Sequence, residues 1–194
     1  MKTQHLYFMK SANRKILKIS LIIVITLNSC GYIQLRNNVK NLIDLKIELP
    51  DSMLQFISDS INMEVKEVCI KNPAIVYWID SVDCSSCLMN SLYQLETVLE
   101  YGKNDSVIFD LAFVISPPKN ETEYFKEVVK HKKLKTPILI DTANYIAEHN
   151  PTLAKQNMIR VFLLDKEHCI KAIGDPLNSK VWDLYKKVIE ELNH

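Results

Sequence analysis

Cys84 and Cys87, separated by Ser85-Ser86, are the residues of this 194-residue chain whose types and spacing could do chemistry most directly. A thiolate attacks a disulfide sulfur to give a mixed disulfide, and a second thiol within reach resolves it. A free cysteine has a pKa of about 8.5, and a helix N-terminus lowers it, because the unsatisfied N–H groups there favour negative charge. With a helix starting at the pair, Cys84 would be the exposed nucleophile and Cys87, one turn further in, the resolving thiol. The competing readings of the spacing are a structural disulfide, half of a zinc site, or two ordinary thiols. Zinc takes four ligands, and His168-Cys169 is the only other candidate pair in the sequence. Neither a metal nor a cofactor is therefore expected.

The elements around the pair must put it at such a terminus. Ala74-Ile75-Val76-Tyr77-Trp78-Ile79 reads as a strand, Asp80-Ser81-Val82-Asp83 as its exit, and Leu88, Leu92, Leu95, Val98 and Leu99 recur at helical spacing, with Gly102 as the stop. Val107–Ile115 is nearly continuous in apolar residues, as in a strand buried on both faces. Pro117-Pro118-Lys119-Asn120 closes it. Glu121–Lys132 predicts a helix with Tyr124, Phe125, Val128 and Val129 on its apolar face. Thr136–Asp141 predicts a strand, with Asp141 or Thr142 capping a helix over Ala143–His149. Ile159–Asp165 and Cys169–Ile173 read as a hairpin, and Lys180–Leu192 as a last helix burying Val181, Leu184, Tyr185, Val188, Ile189 and Leu192. Ahead of these, Asn41–Leu49 and Met63–Ile70 are strand candidates, and Pro50-Asp51-Ser52 opens a short helix through Ile61. The alternation predicts a mixed α/β sheet flanked by helices on both faces, with an N-terminal extension.

The N-terminus carries an address. Met1–Lys18 holds five cations and no acid, and the apolar run Ile19–Leu27 is shorter than the ~20 residues of a spanning helix. This is the pattern of a signal peptide, with Met9 as an alternative start. Leu27-Asn28-Ser29-Cys30 resembles the lipobox of bacterial lipoproteins, in which Cys30 becomes the lipidated first residue. An uncleaved signal anchor and a plain signal peptide cut elsewhere are the competing readings. Loss of residues 1–29 leaves 19 Lys+Arg against 23 Asp+Glu, a net charge of −4, so nucleic acid is not an expected partner. The domain expectation is a leader over 1–29, a tether and strand extension over 30–72, and the main domain over 73–194. Gly31 after Cys30 resembles the pattern sorted to the outer membrane, which gives a lipid-anchored, periplasm-facing protein. For Cys69 and Cys169 a mutual bridge and buried free thiols both remain open.

Taken together, Trp78–Cys87, Pro137–Asp141, Phe162-Leu163-Leu164-Asp165 and Ile173-Gly174-Asp175-Pro176 resemble a thioredoxin-like domain. The nearest type is the membrane-tethered TlpA/ResA-like thiol-disulfide oxidoreductases, with their helical insertion between two central strands. The resemblance covers roughly residues 70–194. It implies thiol-disulfide exchange in the bacterial periplasm, Cys84 and Cys87 as the redox disulfide, client protein disulfides as substrates, and a separate electron donor.

Three departures from the family pattern bear on activity. The family's cis-proline position falls at Ile159 or Arg160, where a cis bond without proline costs about 3 kcal/mol, so a trans loop is expected. The residue before the first cysteine is Asp83, whose charge raises the Cys84 pKa against the helix dipole. Arg160, if it faces the site, offsets that. Ser85-Ser86 supplies neither a cation nor a rigid proline, which points to a reductase or isomerase. Peroxidase chemistry is disfavoured, since Ser81-x-x-Cys84 is only part of the peroxiredoxin motif. Asp80 is close enough to serve as a proton relay for Cys87, although a turn residue is the commoner role. Trp78 and Tyr77 read as core, His149 and His168 as turn residues without chemistry, and Asp110 as a pairing or capping group. The alternative from a different class is a non-catalytic binding or scaffold module with a structural Cys84–Cys87 disulfide. A soft metal on the same two thiols is a weaker third reading.

Overall fold

A computed structural model of the chain describes residues 36–56, 63–68, 70–80, 85–118, 123, 127, 134–156 and 159–194, the side chains of 63 and 85–90 excepted. Two compact units are distinguished, Met1–Asn41 and Leu42–His194. Within the first, the described residues 36–41 are helical.

The second unit is built on a seven-stranded sheet. Its strands are β1 (Ser52–Phe56), β2 (Met63–Glu67), β3 (Ala74–Ile79), β4 (Asp110–Ile115), β5 (Ile138–Ile140), β6 (Val161–Leu164) and β7 (Ile170–Ile173), in the order β2-β1-β5-β4-β3-β6-β7. The helices described are α1 (Ser85–Glu96), α2 (Val98–Asp105), α3 (Tyr145–His149), α4 (Pro151–Ala154) and α5 (Ser179–Leu192). All six residues of β3 are buried. That apolar run sits between a parallel neighbour, β4, with Ala74 opposite Asp110 and Ile79 opposite Ile115, and an antiparallel one, β6, with Ala74 opposite Leu164. β4 and β5 are also parallel, and β6 and β7 form the antiparallel hairpin that feeds the last helix. A strand–helix–strand unit beside a terminal hairpin and helix, with a further strand inserted after β4, is the thioredoxin-like α/β fold.

The alternation of side chains across β3 divides the core. Ile75, Tyr77 and Ile79 join Phe113, Ile115, Ile138, Ile140, Val161 and Leu163 on one face, against Leu92, Leu95 and Val98 from the α1–α2 region and Trp182, Tyr185 and Ile189 from α5. Ala74, Val76 and Trp78, on the opposite face, are buried as well. Each such large apolar side chain contributes about 1.5–3 kcal/mol by burial.

Several elements differ from the sequence expectation, each for a physical reason. Pro50-Asp51-Ser52 opens a strand, because Ser52–Phe56 pairs on both sides, with β2 and with β5, and those ladders outweigh a local helix-start signal. Residues 41–49 make no named strand; Lys46 forms a single antiparallel bridge with Cys169. Gly102 lies inside α2, where the Phe109 ring fills the space that a Cβ would need. The helix stops at Ser106, in the left-handed region at φ 58°, with its N–H donated to the Gly102 and Lys103 carbonyls. On α5 Trp182 is buried along with the expected Tyr185 and Ile189, whereas Leu184 is 49% exposed. The short α4, with Pro151 at its first turn, was not expected. Of the expected helix over Glu121–Lys132 only Glu123 and Glu127 are described, both helical. Among the described residues no helix is long and apolar enough to cross a membrane.

Candidate functional site

β3 ends at Ile79 and α1 begins at Ser85. In the chain, Cys84 is therefore the residue immediately before the first residue of a 12-residue helix, and Cys87 is that helix's third residue. Cys84 and Asp83, like Cys30 and Cys69, lie outside the described residues, and the Cys87 side chain does too. Asp80 is half-buried and directly follows β3. Arg160 is also half-buried, and its carbonyl accepts the Trp78 N–H at 2.8 Å. The peptide ahead of β6 thus runs alongside the end of β3, and its position brings Arg160 and Asp80 to the same end of these interior strands. No peptide bond among the described residues is cis.

At that end of the strands runs a buried polar chain. Trp78 Nε1 donates to Ser116 Oγ (3.1 Å), and the Ser116 hydroxyl donates to Asp141 Oδ2 (3.2 Å). Asp141 in turn accepts the first N–H groups of α3, Tyr145 N on Oδ1 and Ile146 N on Oδ2, both at 2.9 Å. Trp78, Ser116 and Asp141 are 1%, 0% and 3% exposed, so every polar atom in the chain needs the partner it has. Backbone bonds run parallel to it: Ser116 N–H to the Ile79 carbonyl and Asp141 N–H to the Ile115 carbonyl, both 2.8 Å. The ends of β3, β4 and β5 and the start of α3 are locked together where the chain leaves β3 for the CxxC. The sequence names Asp141 or Thr142 as a cap, of which the structure uses Asp141, and Trp78 as core. It does not name Ser116, whose only signal is a lone hydroxyl between Ile115 and Pro117.

The remaining candidates have structural partners. Asp110 accepts the Asn72 backbone N–H (3.2 Å) and side-chain amide (3.3 Å), the pairing role expected for it. The His149 ring stacks on Tyr145, with centroids 3.7 Å apart, and His168 occupies the hairpin turn at φ 66°. Cys169 is a free, half-buried thiol whose N–H donates to Asp165 Oδ1 (2.8 Å). Asp165 also receives Lys171 Nζ at 3.3 Å, and the Lys171 ammonium is held above its usual pKa mainly by its hydrogen bond to Asp44. On the helical face, Trp182 Nε1 donates to Asp105 Oδ2 (2.8 Å) and Lys186 lies 3.3 Å from Oδ1; these two hydrogen bonds hold the Asp105 carboxyl below its usual pKa. Tyr185 donates its hydroxyl to the Gly174 carbonyl (2.9 Å), and burial pushes its pKa far up. Among the described residues no group of three or more His, Cys, Asp or Glu could hold a metal.

No protein-family model matches the chain, and no curated protein matches its sequence. Several solved structures are similar to it. An exposed lipoprotein thioredoxin from Streptococcus pneumoniae is 18% identical, covers 73% of this chain and 99% of its own, and superposes with a TM-score of 0.47. An uncharacterized thioredoxin-like protein from Porphyromonas gingivalis is 15% identical over 76% of this chain and 94% of its own, with a TM-score of 0.47. Copper-bound ScoI from Arabidopsis thaliana is 14% identical over 76% and 98%, with a TM-score of 0.48. The thioredoxin-like fold follows from the strand order and connections themselves.

Proposed function

We propose that this chain is a lipid-anchored thiol-disulfide oxidoreductase that reduces or isomerises disulfides in client proteins. The observation that carries the reading is the position of Cys84 and Cys87 in the chain, at the entry of a 12-residue helix that follows a fully buried central strand. In the reductive direction the Cys84 thiolate attacks one sulfur of a client disulfide, and the other client sulfur leaves as a thiolate and takes a proton. Cys87, deprotonated, then displaces the remaining client sulfur from Cys84. The client ends as a dithiol and the protein as a Cys84–Cys87 disulfide, two electrons having passed to the client; a dithiol donor returns them. In this reading Asp83 opposes ionisation of Cys84 and Arg160 offsets it, while Asp80 serves as the turn residue at the exit of β3.

The same reading places a lipid on Cys30 after removal of residues 1–29. Residues 30–72 serve as tether and strand extension, and residues 73–194 work on the periplasmic side of the envelope, at the outer membrane. No cofactor is needed. A trapping experiment tests the assignment of roles. Cys87→Ser accumulates mixed disulfides through Cys84 that a reducing agent releases, whereas Cys84→Ser accumulates none; equal trapping by both variants contradicts it.

A further inference from the structure

The two edges of the sheet are treated differently. Beside β7, residues 44–47 cover the edge through Asp44 N–H to the Ile170 carbonyl (2.8 Å), Ile170 N–H to the Leu45 carbonyl (3.0 Å) and Ile47 N–H to the His168 carbonyl (2.8 Å). At the other edge β2 has β1 on one side and, among the described residues, no strand on the other. It carries no proline and no bulge, two of the devices that block an edge, and its charged residues Glu64, Lys66 and Glu67 are of both signs.

The register shows which groups that edge offers. In the β1–β2 ladder Leu54 faces Val65, and the Val68 N–H donates to the Asp51 carbonyl at 3.0 Å. Antiparallel ladders alternate bonded and non-bonded pairs, so Glu64 and Lys66 exchange their backbone bonds with β1. The backbone N–H and C=O groups of Met63, Val65 and Glu67 point outward. Val65 is 70% exposed, and beside it on the other face Glu64 and Lys66 pair at 2.9 Å with side chains 64% and 50% exposed.

Met63-Glu64-Val65-Lys66-Glu67 is complementary to itself when reversed about Val65. We propose that β2 is a homodimerisation edge, at which two copies of the chain pair β2 with β2 antiparallel about a two-fold axis at Val65. Val65 then faces Val65 of the second copy, and Met63 faces Glu67, so the outward backbone groups bond each other. On the opposite face each Glu64 lies across from the other copy's Lys66. A register centred on Glu64 sets carboxylate against carboxylate, and one centred on Lys66 sets ammonium against ammonium; like charges directly opposite destabilise a strand pair. The charges thus select the register that also pairs all three outward residues, Met63, Val65 and Glu67, within the two strands, with the isologous symmetry of a two-fold dimer. The seven-stranded sheet becomes continuous across the two copies. Two short strands bury less than the ~1,200 Å² of a standard interface, so the dimer follows protein concentration.

Size-exclusion chromatography with light scattering on the full chain in detergent tests this. The protein mass of the wild type rises from monomer to dimer with concentration. Glu64→Lys and Lys66→Glu, each of which turns both cross-strand pairs into repulsions, weaken the dimer about tenfold. The double swap E64K/K66E restores it. Circular dichroism checks that these exposed substitutions keep the fold. A monomer at every concentration, single substitutions without effect, or a double variant as weak as the singles would each overturn the proposal.

Discussion

Buried polar atoms give the sharpest statements at the scale of single residues, because an unpaired one costs free energy that a surface group does not lose. Asp141 is the acceptor on which Ser116 and the first turn of α3 depend. Asp141→Ala leaves three donors without it, and the chain is expected to lose about 1–3 kcal/mol of stability. Ser116→Ala removes one bond from the same chain and costs about 1 kcal/mol. Urea unfolding of the two variants measures both, and equal losses would contradict the order. Asp105 makes a pH-dependent contribution. Its folded pKa lies below the ordinary 3.8, held there first by Trp182 and then by Lys186, so the stability it adds is present above that value and is lost as pH falls through the folded pKa. Asp105→Asn is therefore expected to be less stable than the wild type at neutral pH and equal to it in strong acid. Thermal melts across that range check the sign. Of these residues the sequence shows the Asp141 cap and the Asp110 pairing, because both sit at strand ends where a carboxylate meets free N–H groups. It hides Ser116 and Asp105, whose partners, Trp78 and Asp141 for one and Trp182 and Lys186 for the other, are distant in the chain.

Among the elements, β3 is legible because a strand buried on both faces needs an unbroken apolar run, and Ala74–Ile79 is one. β1 is not. Its start looks like a helix cap, and only β2 and β5, contributed by later residues, make it a strand. α5 shows the limit of periodicity as a guide. Lys180–Leu192 is helical as expected, yet the stripe is rotated so that Trp182 packs against Phe109 and Tyr101 while Leu184 faces out. Aromatic partners with ring centroids 5.8 and 5.7 Å away decide that rotation, and a sequence window does not contain them. Trp182→Ala is accordingly expected to cost about 3–5 kcal/mol, as for other large buried side chains. Leu184→Ala should stay within about 0.5 kcal/mol. Denaturant midpoints for the pair decide it, and a larger loss at Leu184 would mean that the helix packs by its other face.

For the whole molecule, the order of elements predicts a mixed α/β sheet, and the resemblance carried by segments such as Trp78–Cys87 and Pro137–Asp141 implies the thioredoxin-like arrangement that is observed. The chemistry proposed for it depends on two thiols that only their place in the chain locates, Cys84 just ahead of α1 and Cys87 its third residue. The leader and Cys30 belong to the sequence reading alone, since both lie outside the described residues. A working exchange catalyst and a scaffold with a structural disulfide share this fold and differ in how readily the Cys84–Cys87 bond opens. The reduction potential of that couple, read in a glutathione or dithiothreitol series on the full chain in detergent with Cys84→Ser as control, separates them. A reversible couple between about −180 and −270 mV, the range of exchange catalysts, is the predicted result. A bond that resists reduction beyond about −300 mV, or one that never forms, would contradict it.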